Sequence, residues 1–131
     1  MGFRLVHTCL KVEDLSRTLQ FHQQALAMVE KRRVQAGPMT LVYLGDSENT
    51  PQEIELQWQP EVEAPGNLGD NPTHLAFVVA DFAAARERHR QLGYVVEENP
   101  VAGIYWLEDP DGYRIEILPE GHFSQGGTHE D

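Results

Sequence analysis

The sequence contains a single cysteine, Cys9, so no intrachain disulfide can form. A chain without disulfides suits a reducing compartment, and the sequence therefore predicts a cytoplasmic protein. It also lacks any apolar run of the roughly 18 residues that a bilayer-spanning helix needs, and Met1–Leu10 has no secretory cleavage pattern. Because Cys9 lies inside an apolar segment, we expect its thiol to be buried like a small hydrophobic side chain.

Basic residues are scarce as well. Ten Lys and Arg stand against 21 Asp and Glu, which gives a net charge of −11. The basic stretches at Glu30–Arg33 and Arg86–Arg90 are short and interrupted, and neither forms the cationic surface that binds phosphate backbones. The composition therefore argues against nucleic acid as a partner and is typical of a soluble globular protein.

What the sequence does contain is an internal repeat. The segments "LVHTCLKVEDL" (Leu5–Leu15) and "PTHLAFVVADF" (Pro72–Phe82) each place a histidine at the head of an apolar strand, with an aspartate seven residues later. His7 and His74 are 67 residues apart. Three apolar pairs match at the same offset: Leu10/Phe77, Val12/Val79 and Leu15/Phe82. A duplicated structural unit is the simplest interpretation.

Each half is predicted to continue as a helix and three strands. Asp14 and Asp81 suit helix N-caps, and helical apolar spacing follows both. The strands are predicted near Val29–Gln35, Met39–Gly45, Gln52–Trp58, Tyr94–Glu98, Ile104–Glu108 and Tyr113–Leu118. The predicted fold class is α+β, with two tandem βαβββ modules in one domain. The modules cover about 3–59 and 72–118, with a linker at 60–71 and a flexible tail at 119–131.

The last predicted strand of each half carries a glutamate between two aliphatic residues. Glu55 is the centre of "IEL" and Glu116 the centre of "IEI". Because strand side chains alternate, the aliphatic neighbours face the core and each glutamate faces the opposite side. Taken singly, such a His or Glu is usually structural or solvated. Two of each at equivalent places predict a divalent metal site with nitrogen and oxygen donors.

Other polar positions are excluded from this predicted site. Glu53 lies on the same strand face as Glu55, but Arg114 occupies its counterpart in the second half. His22 and His89 match at the offset of 67 residues, yet they lie in the predicted helices. We expect both histidines to pack against the core.

The segments "HTCLKVEDLSRTLQFHQQALAM", "QEIEL", "THLAFVV" and "LEDPDGYRIEIL" resemble the vicinal oxygen chelate superfamily, and within it the glyoxalase I (lactoylglutathione lyase) family. The resemblance implies cupped mixed sheets and a divalent metal, Ni²⁺ or Co²⁺ rather than Zn²⁺. It implies a homodimer with shared active sites, in which one chain supplies two ligands and its partner the other two. The implied ligands are His7, Glu55, His74 and Glu116.

The same resemblance implies a reaction. The substrate would be a 2-oxoaldehyde–thiol adduct, the hemithioacetal of methylglyoxal with glutathione as co-substrate, isomerised to S-lactoylglutathione through an enediolate. Glu116 would be the catalytic base and Glu55 the opposing carboxylate. Lys11 and Gln59 stand where the family has an Arg and an Asn that contact glutathione, and Ala102 replaces a basic loop residue.

Two alternatives remain open from the sequence. One is another metal-dependent enzyme of the superfamily, such as an epimerase, or a lyase or transferase that uses a different thiol. The other is a metal-free binding protein of the bleomycin-resistance type, although four matched ligands argue against it.

Overall fold

The computed structural model describes residues 2–61 and 73–122 of the chain. It divides into two compact units, Met1–Gly69 and Asp70–Asp131. The first unit contains β1 (His7–Lys11), α1 (Leu15–Leu26), β2 (Val29–Ala36), β3 (Met39–Gly45) and β4 (Glu53–Trp58). The second contains β5 (Leu75–Val79), α2 (Phe82–Gln91), β6 (Val95–Asn99), β7 (Ile104–Glu108) and β8 (Arg114–Pro119). The predicted linker and tail lie largely outside the described residues, so the predicted domain layout stays a prediction.

Each unit forms one mixed four-stranded sheet. The strand orders are β1-β4-β3-β2 and β5-β8-β7-β6. In each sheet the pair that contains the first strand, β1/β4 or β5/β8, is parallel, and the other neighbours are antiparallel. The register repeats as well as the order, because Cys9 lies opposite Glu55 and its repeat partner Ala76 lies opposite Glu116. The predicted α+β fold, with the element order βαβββ in each half, is confirmed.

Both helices begin at the predicted aspartates. The Asp14 carboxylate accepts a hydrogen bond from the Arg17 amide at 3.1 Å, and the Asp81 carboxylate accepts one from the Ala84 amide at 3.1 Å. These bonds satisfy amide groups that have no partner inside the helix. Among the residues that the structure describes, neither helix is long and apolar enough to cross a membrane.

The helix ends differ between the units. Chain reversal after α1 passes through Ala27, whose φ of 53° is left-handed, whereas α2 is followed by Gly93 at a φ of 77°. Glycine adopts this conformation at little cost, but alanine does so only with strain on its Cβ. The first unit therefore places a strained residue where the second unit has a glycine.

The turn before β8 is closed by one side chain. Asp109 Oδ1 accepts hydrogen bonds from the Asp111 and Tyr113 amides, both at 2.9 Å. Gly112 follows with a φ of 91°, a value that glycine tolerates. The Asp-Pro-Asp-Gly segment therefore forms a tight turn, which fixes where β8 begins and so where Glu116 lies.

The core of each unit lies on one face of its sheet. Ile54 and Leu56 are buried around the partly exposed Glu55, and Ile115 and Ile117 are buried around Glu116. This alternation directs the glutamates away from the core, as predicted. The largest buried side chains of the sheets are Tyr105, Leu56, Leu107, Ile115, Ile117 and Leu118.

The two helical histidines pack in the core, as predicted. His22 is fully buried and His89 is 4% exposed, with its Nδ1 at 2.8 Å from the Tyr105 hydroxyl. Burial lowers the pKa of His22 to about 4 because the charged ring would lose its hydration. Leu92, at the end of α2, is 40% exposed.

Candidate metal centre

His7 and Glu55 lie side by side on the face of the first sheet that is opposite the buried Ile54 and Leu56. His7 begins β1, and the parallel register with β4 brings its Nε2 to 3.7 Å from Glu55 Oε2. The imidazole is 36% exposed and the carboxylate 12% exposed. One nitrogen donor and one oxygen donor are thus accessible together, and we call this pair the first half-site.

His74 and Glu116 form the equivalent pair in the second unit. His74 Nε2 lies 3.2 Å from Glu116 Oε1, and the side chains are 35% and 14% exposed. We call this pair the second half-site. The same two residue types therefore meet at the same register in both units.

The half-sites suit a metal ion in their donor chemistry. Imidazole and carboxylate are the ligands of borderline divalent ions, and no thiolate competes with them. Across residues 2–61 and 73–122, no group of three or more His, Cys, Asp or Glu side chains is arranged to hold a metal ion. Each unit supplies two donors, so the predicted set of four ligands stays a prediction.

An aromatic ring lies against each histidine, and neither contact was predicted from the sequence. Tyr43 meets His7 edge-on with ring centroids 5.7 Å apart, and Trp106 meets His74 edge-on at 4.8 Å. Both rings lie opposite the half-site glutamates, Tyr43 across from Glu55 and Trp106 across from Glu116. The strand alternation around the buried Val42 and Leu44 was the signal that places Tyr43 on this face.

The two rings differ in their hydrogen bonding to the half-site glutamates. The Tyr43 hydroxyl donates a hydrogen bond to Glu55 Oε2, whereas the indole of Trp106 has no hydroxyl to offer. Burial raises the pKa of Glu55, but hydrogen bonds from Tyr43 and Cys9 and the charge of His7 outweigh it, and the pKa is lowered. The hydrogen bond to Glu55, followed by burial, raises the pKa of the Tyr43 phenol. Glu55 is therefore held as an ionised carboxylate.

A guanidinium group covers the Tyr43 ring. Arg32 Cζ lies 4.1 Å from the centre of the Tyr43 ring. The two terminal nitrogens of Arg32 donate hydrogen bonds to the Glu53 carboxylate at 3.0 and 2.9 Å. This bidentate pair lowers the pKa of Glu53 chiefly through its hydrogen bonds and occupies both carboxylate oxygens. Glu53 is therefore engaged with arginine, which agrees with its exclusion from the predicted ligand set.

Cys9 is not buried, and the predicted burial is wrong. It is exposed, with Sγ 3.5 Å from Gln57 Oε1, because β1 alternates and places Cys9 on the same face as His7 while Leu10 enters the core. Partial enclosure of the thiol, followed by its contact with the Glu55 carboxylate, raises the pKa of Cys9 to about 11. At neutral pH the sulfur is therefore a protonated thiol and a weak ligand.

Lys11 and Gln59, which were predicted to contact glutathione, lie apart in the chain from Ala102, which replaces the basic loop residue. Lys11 ends β1 and Gln59 follows β4, and these parallel strands bring both residues to one edge of the first sheet. Ala102 lies between β6 and β7 of the second unit, where its carbonyl accepts a hydrogen bond from His122 Nε2 at 3.1 Å. His122 thus contacts the loop between β6 and β7. The glutathione contacts themselves stay predictions.

Comparison with known proteins identifies the family. Residues 4–117 match the Glyoxalase/Bleomycin resistance protein/Dioxygenase superfamily. The chain belongs to this superfamily. Within the glyoxalase superfamily, the lactoylglutathione lyases of Neisseria meningitidis serogroup A and Salmonella typhimurium are 36% and 38% identical to it over 126 and 125 residues. Each alignment covers 88% of this chain and 89% or 91% of the relative.

A solved structure of the glyoxalase superfamily gives the same assignment. The trypanothione-dependent glyoxalase I of Leishmania major superimposes with a TM-score of 0.82 at 27% identity, covering 95% of this chain and 92% of that one. The resemblance to glyoxalase I inferred from the sequence motifs is confirmed.

Proposed function

We propose that this chain is a lactoylglutathione lyase that converts the hemithioacetal of methylglyoxal and glutathione to S-lactoylglutathione. The observation that carries the proposal is the pair of equivalent half-sites, each with one imidazole and one carboxylate on the uncovered face of its sheet. Their position in a chain that is 36–38% identical to lactoylglutathione lyases supports this activity.

His7, Glu55, His74 and Glu116 would hold the divalent ion together. When bound, the ion polarises the two neighbouring oxygens of the substrate and stabilises negative charge on them. We propose Ni²⁺ or Co²⁺ over Zn²⁺, which is what the resemblance to the glyoxalase I family implies. Two chains would form a homodimer in which each centre takes the first half-site of one chain and the second half-site of its partner.

Glu116 is the proposed base. Its carboxylate would take a proton from one carbon of the substrate and return it to the neighbouring carbon. Among the residues of its own unit that the structure describes, its recorded partner is His74, which contacts Oε1. The other oxygen, Oε2, carries no recorded hydrogen bond there and is suited to accept the proton.

A lyase for a different thiol is the second candidate. Lys11 and Gln59 replace the Arg and Asn that contact glutathione in the family, and a lysine ammonium cannot form the two-pronged bond of an arginine. The structural relative from Leishmania major is described as trypanothione-dependent. The choice of thiol is therefore the part of the proposal that most needs a direct assay.

One reconstitution series tests these points. The purified protein is stripped with a chelator, loaded with Ni²⁺, Co²⁺, Zn²⁺ or Mn²⁺, and assayed for thioester formation from methylglyoxal with glutathione or trypanothione. We expect activity with glutathione, highest with Ni²⁺ or Co²⁺, and loss of metal binding in His7→Ala and His74→Ala. Absence of thioester with every metal and thiol would contradict the proposed function, and highest activity with Zn²⁺ would contradict the metal preference.

A further inference from the structure

Tyr43 and Trp106 occupy equivalent positions but interact differently with the half-sites. Each lies opposite a half-site glutamate across an antiparallel strand pair, and each meets the half-site histidine edge-on. Only Tyr43 carries a hydroxyl, and this hydroxyl donates to Glu55 Oε2. The two half-sites therefore have the same donors but different support.

The Tyr43 ring is itself held in place. His7 meets it edge-on at 5.7 Å, and the Arg32 guanidinium lies over it at 4.1 Å. Arg32 is fixed in turn by its two hydrogen bonds to Glu53. A hydroxyl on a ring with neighbours on its edge and its face points in a defined direction before any ligand arrives.

This direction matters because the last torsion of a glutamate is only weakly restricted. A hydrogen bond to one oxygen selects one orientation of the carboxylate, and such supporting bonds orient metal ligands in proteins generally. Glu55 has this support from Tyr43. Glu116 faces the indole of Trp106, whose N–H donates no hydrogen bond to it, and its Oε1 meets His74 Nε2 at 3.2 Å, a nitrogen that a bound metal would occupy.

We propose that Tyr43 is a positioning residue that fixes the Glu55 carboxylate beside His7 as a preformed metal ligand, and that Glu116 is left able to reorient. The second half of this statement rests on the proposed function, because a base that serves two adjacent carbons must be able to turn between them. The first half concerns metal binding alone and does not depend on the reaction.

The experiment compares two Tyr→Phe variants. Tyr43→Phe removes the hydroxyl that supports Glu55 and keeps the ring against His7. Tyr105→Phe is the matched control, because it removes a hydroxyl that bonds the buried His89 on the helix-covered side of a sheet. Metal-free protein of each variant is titrated with Ni²⁺ in a calorimeter, and the thermal midpoint of the metal-free protein is measured alongside.

We expect Tyr43→Phe to bind Ni²⁺ about 10-fold more weakly than the native protein, the lower end of what loss of a ligand-orienting group usually costs. Its thermal midpoint should stay near the native one. Tyr105→Phe should do the reverse, with a lower midpoint and native affinity. Affinity of Tyr43→Phe within about twofold of native, or an equal loss in Tyr105→Phe, would overturn the assignment of Tyr43.

Assaying native protein and Tyr43→Phe for S-lactoylglutathione separates this inference from the proposed function. Weaker Ni²⁺ binding by Tyr43→Phe in a protein that makes no thioester would support the positioning role and refute the lyase. An active native enzyme whose Tyr43→Phe variant binds Ni²⁺ normally would support the lyase and refute the positioning role of Tyr43. Failure of the native protein to bind Ni²⁺ would overturn both.

Discussion

Arg32 and Arg114 cover equivalent aromatic rings from strands that are not equivalent. Arg32 on β2 lies 4.1 Å from the Tyr43 ring centre, and Arg114 on β8 lies 4.9 Å from that of Trp106. Arg32 bonds Glu53 of β4, whereas Arg114 bonds Glu97 of β6 at 2.7 Å. Since Arg114 is the repeat counterpart of Glu53, the two units contain the same ion pair with its charges exchanged.

This exchange predicts that the first ion pair can be reversed. Arg32→Glu alone leaves two carboxylates facing each other and should lower the thermal midpoint. Adding Glu53→Arg restores the pair in the polarity of the second unit, so the double variant should recover most of the loss. A double-mutant cycle of thermal unfolding at low and high salt measures the coupling, and equal midpoints for the single and double variants would contradict it.

The left-handed residue after α1 gives a second prediction. Ala27→Gly should stabilise the protein by about 0.5–1 kcal/mol, because glycine accepts the φ of 53° without strain on a Cβ. Ala25→Gly, two residues earlier and inside the helix, is the control and should destabilise by about 1 kcal/mol or more. Urea unfolding provides both values, and a loss of stability in Ala27→Gly would show that the strain is absent.

The buried His22 predicts a loss of stability in acid. Its pKa is lowered to about 4 by burial, whereas in the unfolded chain the ordinary value is about 6.5. Between these values the unfolded state binds more protons, so stability falls as the pH falls from about 6.5 to 4, by on the order of 2–3 kcal/mol. Urea unfolding across this range measures the slope.

Asp109 contributes to the pH dependence of stability with the sign opposite to that of His22. The experiment therefore needs a control variant. Burial raises its pKa to about 6, so its contribution to stability is present at low pH and is lost as the pH rises toward that value. The test is therefore the difference between native protein and His22→Phe, which keeps an aromatic ring and cannot titrate. An unchanged pH slope in His22→Phe would contradict the assignment to His22.

Most of the fold could be predicted from the sequence because its signals are local. Asp14 and Asp81 mark helix starts through their own side chains, and the triplets around Glu55 and Glu116 reveal two strand faces by alternation. The exposure of Cys9 depends on which face of the sheet remains uncovered, and an apolar segment does not report that. The Tyr43 hydrogen bond depends on the register between β3 and β4, a pairing that no spacing within either strand encodes.

Shared active sites predict complementation between inactive variants. His7→Ala and Glu116→Ala should each be inactive as homodimers. In a mixed dimer, one centre combines the intact first half-site of the Glu116→Ala chain with the intact second half-site of the His7→Ala chain. Activity should therefore reappear after subunit exchange, at one of the two sites. No recovery, with exchange verified by differently tagged chains, would argue for sites built within one chain.

The two half-site glutamates should separate in their effects on the reaction. Glutamine can offer a neutral oxygen to the metal but cannot accept a proton at neutral pH, so either Glu→Gln change should weaken metal binding. Only the base should also lose the proton transfer, which typically accounts for about 10²–10⁴-fold in rate. At saturating Ni²⁺, kcat of Glu116→Gln should therefore fall far below that of Glu55→Gln. In the native protein Tyr43 holds the Glu55 carboxylate in one orientation.

The measurement is kcat at several metal concentrations, with bound metal determined in each sample. Equal losses at full occupancy would show that Glu116 is not the sole base. If neither variant changed metal content or rate, the assignment of the half-sites as the metal centre would be wrong.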